Sequence, residues 1–196
     1  MKKSWIVIIV IVVVIFIIYR LFAGSYNKMV SKDEAVSAAW SQVENVYQRR
    51  LDLIPNLVAT VKGAADFEQT TLTKVIEARA SATQIKVDPK NLTPEALEKF
   101  QASQGQLSQA LGRLMVVAEQ YPQLKANQNF LELQAQLEGT ENRIAVERGK
   151  FNDIARDFNT YIRSFPQSMV AGMFGFHPKP YFASDKGAEN APKVEF

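Results

Sequence analysis

The stretch from Phe130 to Phe165, FLELQAQLEGTENRIAVERGKFNDIARDFNTYIRSF, decides the fold of this chain. Large apolar residues recur at every seventh position through it, and a second row follows three positions behind the first. Heptad spacing places both rows on one face of a helix and favours left-handed packing at roughly 20° between neighbouring helices. The stretch therefore predicts a long helix over residues 127–164 that packs against other helices. The first row is Phe130, Leu137, Ile144, Phe151, Phe158 and Phe165, and the second is Leu133, Thr140, Glu147, Ile154 and Tyr161.

Two further helical stretches precede this one. Residues 27–83 carry apolar side chains at steps of three and four, which is the spacing of one helix face. Pro55 interrupts this stripe without changing its phase, so we predict a kink there; a break into two helices at Pro55 is the alternative. A Thr-Pro pair beginning at Thr93 is typical of a helix start, and the second stretch runs over residues 94–120. We expect an all-α antiparallel bundle over residues 27–165, with three long helices or, if Pro55 divides the first, four.

An apolar run at the front of the chain predicts a membrane anchor. From Trp5 to Ile18 every side chain is apolar. As a helix, residues 4–23 rise roughly 30 Å, which is the thickness of a bilayer core. A cleaved secretory signal is the alternative, but Leu21 stands where a cleavage site needs a small residue. We therefore expect a short tail over residues 1–3, a single transmembrane helix over residues 4–23, and membrane lipid as one partner of the chain.

The orientation of this anchor depends on the basic residues that flank it. Lys2 and Lys3 precede the apolar run, while Arg20, Lys28 and Lys32 follow it, so the two sides nearly balance. The basic start is followed at once by the apolar run, which favours a short cytoplasmic tail. The helical domain is accordingly expected on the extracytoplasmic side.

Composition argues against several classes of function. Setting aside Lys2, Lys3 and Arg20 leaves 20 basic against 20 acidic residues, so the domain lacks the basic footprint of a nucleic-acid-binding protein. The chain has no Cys, which excludes disulfides, thiolate nucleophiles and Cys metal sites. It has no phosphate loop, dinucleotide fingerprint or zinc helix motif, and its single His, His177, follows the helices. We predict no catalytic residue, no cofactor and no metal, and therefore no enzyme.

Polar residues interrupt the apolar rows of all three stretches. A buried charge costs several kcal/mol unless it is paired. We interpret these residues as a paired polar layer that fixes the register of the helices, as polar seam residues do in coiled coils. The alternatives are a ligand or ion pocket between the helices, or an enzyme site built on the two carboxylates. The residues are Arg50, Glu68, Thr71, Gln104, Thr140 and Glu147.

The C-terminal tail, residues 166–196, differs from the rest. Its first part mixes Gly, Met, Phe and Pro without a clean period and predicts an extended cover packed on the bundle. Residues 184–193 are polar and predict a mobile end, after which Val194 and Phe196 dock back or engage a partner. Exposed Met and Phe make adaptable contacts, so the first part is also the candidate partner surface. Its large side chains are Met169, Met173, Phe174, Phe176, Tyr181 and Phe182.

Several strings along the chain are distinctive. They are RRLDLIPNLV from Arg49, YPQLKA from Tyr121, NFLELQ from Asn129, LEGTENRI from Leu137, and the ending APKVEF from Ala191. Together these strings resemble the LemA family of bacterial membrane-associated helical proteins, and the match covers almost the whole chain. The resemblance implies an anchored helical bundle in the inner membrane of a bacterium. It implies no catalytic activity, because none is established for the family, and family members often appear beside envelope proteins, which implies protein partners.

Three functions are compatible with these features. The leading one is a non-enzymatic, membrane-tethered interaction or scaffold protein that binds a protein partner through residues 169–182. The second is a self-assembling membrane scaffold, a homo-oligomer joined through apolar residues beside the main seams, such as Val116, Val117 and Leu131. The third is a ligand- or ion-binding bundle, or an enzyme, that uses the central polar layer.

Overall fold

The computed structural model describes residues 3–63 and 67–183, and within these ranges every regular element is helical. The elements are α1 (Lys3–Lys62), α2 (Gln69–Gln84), a 3₁₀ turn (Pro89–Asn91), α3 (Pro94–Ala118), α4 (Pro122–Lys125), α5 (Gln128–Arg163) and α6 (Gln167–Phe174). The all-α prediction is confirmed, and α3 and α5 end within two residues of their predicted bounds. The start of the predicted N-terminal tail, the predicted polar end over residues 184–193, and Val194 and Phe196 lie outside the described residues.

α1 is one uninterrupted helix of 60 residues, which corresponds to about 90 Å of length. Its exposed front, from Ser4 to Leu21, makes α1 the one described helix long and apolar enough to cross a membrane. From Met29 onward the same helix buries its apolar stripe in the bundle. The boundary predicted between the anchor and the first bundle helix is absent, because Gly24 costs a helix only about 1 kcal/mol and the helical spacing continues on both sides.

Pro55 lies inside α1, which continues through it to Lys62. The predicted phase explains this, since Leu51, Ile54 and Val58 stay buried on one face across the proline. The first stretch nevertheless divides into two helices, α1 and α2, with the division after Lys62 and not at Pro55. The prediction of a single helix over 27–83 is therefore corrected, and so is the position of the alternative break.

A side chain from α2 compensates for the hydrogen bond that Pro55 removes. Proline has no backbone N–H, so it cannot donate to the carbonyl of Leu51 one turn earlier. The Nε of Arg79 donates to that carbonyl at 3.0 Å. This hydrogen bond connects two segments of the chain, the string RRLDLIPNLV on α1 and the segment around Arg79 on α2.

This bond gives a first test. Arg79→Met leaves the Leu51 carbonyl without the donor, and we expect the free energy of unfolding to fall by about 1–3 kcal/mol. Pro55→Ala returns an N–H to that carbonyl, so Arg79→Met is expected to cost clearly less in that background. Denaturant unfolding of the two single variants and the double variant measures the coupling. An equal cost of Arg79→Met in both backgrounds would contradict the assignment.

The order of contacts gives the direction of each helix. α1 and α5 are antiparallel, because Lys32, Trp40 and Arg50 along α1 meet Asp157, Phe151 and Glu141 of α5 in reverse order. α3 runs parallel to α1, since Trp40 contacts Phe100 and Arg50 contacts the later Gln104 and Ser108. α2, which connects them along the chain, runs in the opposite direction and packs on α3. The result is a four-helix, up-down-up-down bundle, in which α2 makes α1 and α3 parallel rather than antiparallel neighbours.

Two apolar clusters fill the bundle, one on each side of a buried polar layer. The membrane-proximal cluster, nearer the exposed front of α1, is centred on Trp40. The membrane-distal cluster is built around Leu107, Leu111 and Leu114 of α3. The layer between them, here called the Arg50 layer, consists of the buried polar residues Arg50, Ser103, Gln104 and Thr140.

The tail covers the membrane-proximal cluster, but the prediction that it is extended is wrong for residues 167–174, which form the helix α6; no proline interrupts the chain between Pro166 and Gly175. α6 ends at Phe174, and the following Gly175 has a φ of 73°, the left-handed conformation that glycine adopts most readily. Residues 175–183 then run back along the bundle. Two asparagines of α5 each bind the backbone of one tail residue through both the oxygen and the nitrogen of the side-chain amide. Asn159 pairs with the backbone N–H and C=O of Lys179 at 2.7 and 2.8 Å, and Asn152 pairs with those of Phe182 at 2.8 and 3.0 Å.

Candidate functional site

The guanidinium of Arg50 is the centre of the polar layer. Arg50 is 1% exposed. Its Nη1 donates to Ser108 Oγ at 2.8 Å and to Glu141 Oε1 at 2.6 Å. Its Nη2 donates to the Gln104 side-chain oxygen and, at 3.4 Å, to the Gln104 carbonyl. The carbon of the guanidinium lies 5.1 Å from the centre of the Tyr47 ring, where a cation–π attraction adds to these bonds.

Three helices position these groups. Arg50 lies on the buried stripe of α1, one turn beyond Tyr47, so its side chain enters the core between the two apolar clusters. Gln104 and Ser108 are one turn apart on α3, which places both on the same face of that helix. Glu141 comes from α5, and its side chain is 44% exposed at the edge of the layer. The charge of Arg50 is thus balanced by a carboxylate that water also reaches.

The polar groups of this layer bind one another rather than an external ligand. The donors of Arg50 point at Gln104, Ser108 and Glu141, and within the described ranges only its Nε lacks a partner among the polar atoms of the guanidinium. These bonds require one alignment of α1, α3 and α5 along their axes. The layer therefore has the geometry of a register-fixing device.

The structure brings together only some of the residues that the sequence assigns to this layer. Arg50 and Gln104 are bonded to each other, and Thr140 is buried at the same level but donates to the carbonyl of Gln136 in its own helix. Thr71 is also buried, but it belongs to the distal part of the bundle, beside α3. Gln104 and Thr140 are therefore in the layer with Arg50, and Thr71 is not.

Two predicted members of the layer are not buried. Glu68 precedes α2 and is exposed. Glu147 is only partly buried and pairs with Lys150 at 2.7 Å on its own helix. Glu68 was assigned by continuing the spacing of α1 past the point where α1 ends, and periodicity holds only within one helix. The structure therefore does not bring these two carboxylates together in a central layer.

Sequence reasoning missed Ser103, Ser108 and Glu141. All three lie directly beside a seam position, next to Gln104, Leu107 and Thr140. A search for polar residues on the apolar rows does not reach the flanking positions. The available signal was the unpaired charge itself, because a buried arginine on α1 requires a carboxylate on a neighbouring helix.

A solvent-open cleft of about 390 Å³ lies between α2 and α3. Lys74 and Arg113 line it, and so does Thr71, whose buried hydroxyl has no hydrogen-bond partner within the described residues. Across residues 3–63 and 67–183, no three His, Asp or Glu side chains are grouped so that they would hold a metal ion. His177 lies in the tail, in a shallow pocket with Asp33 and Lys179.

Asp88 is the described residue with a shifted pKa. The backbone N–H of Lys90 and the side-chain amide of Asn91 donate to its carboxylate at 2.9 and 2.8 Å. Both bonds stabilise the charged form, so the pKa of Asp88 lies below its ordinary value. Its contribution to stability is present at neutral pH and is lost as the pH falls through that lowered pKa. The group caps the 3₁₀ turn on the surface and is not part of a site.

The predicted partner surface divides into a buried and an exposed part. Phe182 is 5% exposed and is stacked on Trp40, with ring centres 5.8 Å apart, so it belongs to the core and not to a surface. Phe176 is half-buried against Tyr26 and Phe158. Tyr181 is exposed, but its hydroxyl accepts a hydrogen bond from Asn159 at 2.9 Å.

The exposed part lies on and next to α6. Met169 is 56% exposed and Met173 is 71% exposed, and Phe174 is similarly open. Phe165, which the heptad pattern places in the seam, is 82% exposed, because α5 ends at Arg163 and the seam ends with it. We call Phe165, Met169, Met173 and Phe174 the α6 patch.

Comparison with known proteins supports one family. The magnetosome protein MamQ 2 of Paramagnetospirillum magneticum is 30% identical over 186 residues, which cover 86% of this chain and 68% of that relative. The magnetosome protein MamQ of Magnetospirillum gryphiswaldense is 29% identical over the same length. Protein LemA of Metamycoplasma hominis is 27% identical over 155 residues, which cover 79% of this chain and 67% of that relative.

The family profile gives the same result with defined bounds. The profile of the LemA family matches residues 39–196, beginning within α1 next to Trp40 and extending through the bundle and the tail. The exposed apolar front of α1 precedes this match. The chain belongs to the LemA family.

Proposed function

We propose that this protein is a non-enzymatic, single-pass scaffold of the bacterial inner membrane, whose bundle binds a protein partner or a second copy of the chain. The observation that carries the proposal is the continuity of α1 over 60 residues. The apolar front and the central strut of the bundle are parts of one helix, and a helix without an intervening loop transmits position and orientation. Such an arrangement suits a protein that holds a surface at a fixed distance from a membrane.

The use of the buried polar groups supports a role without chemistry. Arg50, Gln104, Ser108 and Glu141 bond to one another across three helices. A catalytic site leaves such groups converging on a space where a substrate binds. In this bundle the polar groups around Arg50 are already hydrogen-bonded to it, which favours a binding protein over an enzyme. We place the bundle on the extracytoplasmic side, because Lys2 and Lys3 directly precede the apolar run.

Exposed apolar side chains in the membrane-distal half favour contact with another protein. Val116 of α3 is 64% exposed, and Leu131 of α5 is also exposed, whereas Val117 packs partly against the distal cluster. Single exposed apolar residues are ordinary on protein surfaces, but two at the far end of a tethered rod offer a natural contact for a partner. The same residues support the alternative of self-assembly.

Photo-crosslinking in intact cells tests this proposal. We expect a photoreactive amino acid at Val116 or Leu131 to give a discrete adduct, and the same amino acid at the exposed Lys99 of α3 to give none or much less. An adduct at twice the chain mass of 22.0 kDa identifies a second copy. An adduct of another discrete mass identifies a partner. Absence of adducts at both apolar positions would contradict a scaffold that acts through this end of the bundle.

Deleting residues 169–182 is not a clean test of a partner surface. The deletion removes Phe182 from its stack on Trp40 and removes the tail residues that Asn152 and Asn159 bind. Loss of partner binding would then follow from damage to the core. Point substitutions in the exposed α6 patch avoid this problem.

A further inference from the structure

We propose that α6 is an interfacial helix, and that the α6 patch lies in the headgroup layer of the same bilayer that α1 crosses. The proposal rests on the membrane anchoring of α1, which is part of the function proposed above. It assigns lipid, rather than a soluble protein, to the surface formed by Phe165, Met169, Met173 and Phe174.

The height of α6 along α1 carries the proposal. The ring of Phe174 lies 4.7 Å from that of Tyr26, and the ring of Phe176 lies 5.9 Å from it. Tyr26 is three residues beyond Ala23, the predicted end of the span, which corresponds to about 4.5 Å along a helix. Phe22, inside the predicted span, is already packed against the membrane-proximal cluster. α6 therefore lies where α1 leaves the hydrocarbon.

The two faces of α6 explain what it contacts. Val170 and Ala171 are buried against the bundle. Met169 and Met173 are four residues apart within α6, so they lie along one side of it, and each is more than half exposed. The outer side of α6 is thus apolar rather than charged. An apolar helix face of this kind is buried roughly 5–10 Å into the boundary between headgroups and acyl chains when a helix lies on a membrane.

Charge at this end of the bundle also favours a lipid surface. Residues 19–32 of α1 and residues 163–176 contain no Asp or Glu. They contain four basic residues, of which Lys32 is paired with Asp157. Basic residues next to a membrane span attract anionic headgroups. The basic residues are Arg20, Lys28, Lys32 and Arg163.

The path of the chain agrees with a local descent to the membrane. α5 runs toward the membrane end and stops at Arg163, α6 follows, and the left-handed Gly175 turns the chain back up the bundle. A soluble partner would have to reach the α6 patch at the level of the headgroups, beside lipid that already surrounds α1. Lipid already surrounds the exposed front of α1 at this level, so it can contact the α6 patch directly.

Site-directed fluorescence on the full-length protein tests the assignment. Because the chain has no Cys, Met169→Cys and Met173→Cys each introduce a single attachment site for an environment-sensitive dye. Val146→Cys is the matched control, since it is an exposed apolar position, 54% open, near the middle of α5 and away from the membrane end. Ile11→Cys reports on the anchor. Each variant is reconstituted in vesicles of phosphatidylcholine and phosphatidylglycerol that carry nitroxide lipids, and circular dichroism confirms that each retains its helices.

We expect dye at residues 169 and 173 to emit at shorter wavelength than dye at residue 146, and headgroup nitroxides to quench it severalfold more strongly. Dye at residue 11 is quenched by nitroxides on the acyl chains. If dye at residues 169 and 173 behaves like dye at residue 146 while dye at residue 11 is quenched, the proposal of an interfacial helix is wrong, although the membrane anchoring of α1 is supported. Protection of residues 169 and 173 that appears only in native membranes, without quenching by lipid, points to a protein partner and also overturns the proposal. If residue 11 is not quenched, the anchoring itself fails.

Discussion

Trp40→Ala is expected to lower the free energy of unfolding by about 3–5 kcal/mol, the range for deleting a large buried aromatic side chain. Trp40 is fully buried and contacts an aromatic ring from each of three other parts of the fold. Its ring centre lies 5.3 Å from Phe100 of α3, 5.7 Å from Phe151 of α5 and 5.8 Å from Phe182 of the tail. The substitution removes a common contact of α1, α3, α5 and the returning chain.

The effect extends beyond the cavity. Phe182 is stacked nearly parallel to Trp40, with an interplanar angle of 8°, so the tail loses this stacking contact when the indole is removed and keeps the edge contact of Phe182 with Phe151. The hydrogen bonds from Asn152 and Asn159 then hold residues 175–183 without that support. We expect a protease to cut this segment faster in Trp40→Ala than in the parent protein. The Nε1 of Trp40 has no partner among the described residues, so Trp40→Phe loses no hydrogen bond and is expected to cost clearly less.

Denaturant unfolding of the full chain in detergent micelles, followed by circular dichroism, measures this effect, together with limited proteolysis. A loss of this size corresponds to a Tm lower by about 10 °C for a domain of this length. Val116→Ala is the control, because this exposed side chain is expected to change stability by less than about 0.5 kcal/mol. A cost of Trp40→Ala no larger than that of the control would show that the membrane-proximal cluster is not organised around this residue.

The second large effect concerns the Arg50 layer, where Gln104→Leu is expected to lower the free energy of unfolding by about 3 kcal/mol or more. The substitution removes the side-chain acceptor of a guanidinium that is almost fully buried. Glu141 compensates only in part, because its carboxylate lies at the solvent-exposed edge. Arg50→Met alone is expected to cost about 1–3 kcal/mol, since it leaves the buried oxygen of Gln104 without a donor.

The double variant, Arg50→Met with Gln104→Leu, is expected to recover most of the stability that either single change loses. Replacing a whole buried polar group by apolar side chains of similar volume is often neutral or stabilising, whereas removing one partner is not. The coupling is read from a double-mutant cycle of denaturant unfolding. Additive costs would show that the two side chains do not depend on each other, contrary to their hydrogen bond.

The same variant tests whether the layer fixes register. If it does, the double variant keeps its helices and its stability but loses a single defined packing, which broadens the side-chain signals in NMR spectra. A double variant that is as stable and as well ordered as the parent protein would leave the layer without that role. The readout separates specificity from stability, which a measurement of unfolding alone does not.

Much of the helical content follows from short-range information. The heptad rows between Phe130 and Ile162 and the Thr93-Pro94 start define α5 and α3, because residues three, four and seven apart on one helix share a face wherever that helix lies. The apolar front of α1 is equally local, since length and hydrophobicity alone set its capacity to span a bilayer. The strings that resemble the LemA family are also read directly from the chain, and the family match confirms them.

Two of the errors have the same physical origin. Periodicity is a property of a single helix, so it fails where a helix ends: Glu68 after α1 and Phe165 after α5 were placed on buried rows and are exposed. The apolar pattern also does not show where the first stretch divides into α1 and α2. A proline inside a helix is tolerated when another group satisfies the freed carbonyl, and here that group, Arg79, lies on a different helix.

The sequence by itself determined α3 and α5, the apolar faces of the long helices, an apolar front long enough to span a membrane, and the family, because each depends on residues close together in the chain. Only the tertiary structure decided that α1 and α3 run parallel, that Glu141 and Ser108 bind Arg50, and that Phe182 is core while Met173 is surface. Those features depend on contacts between residues far apart in the chain, from 54 positions for Arg50 with Gln104 to 142 positions for Trp40 with Phe182. The energy of such a contact is set by what surrounds both residues once the helices have packed, and no local pattern contains it.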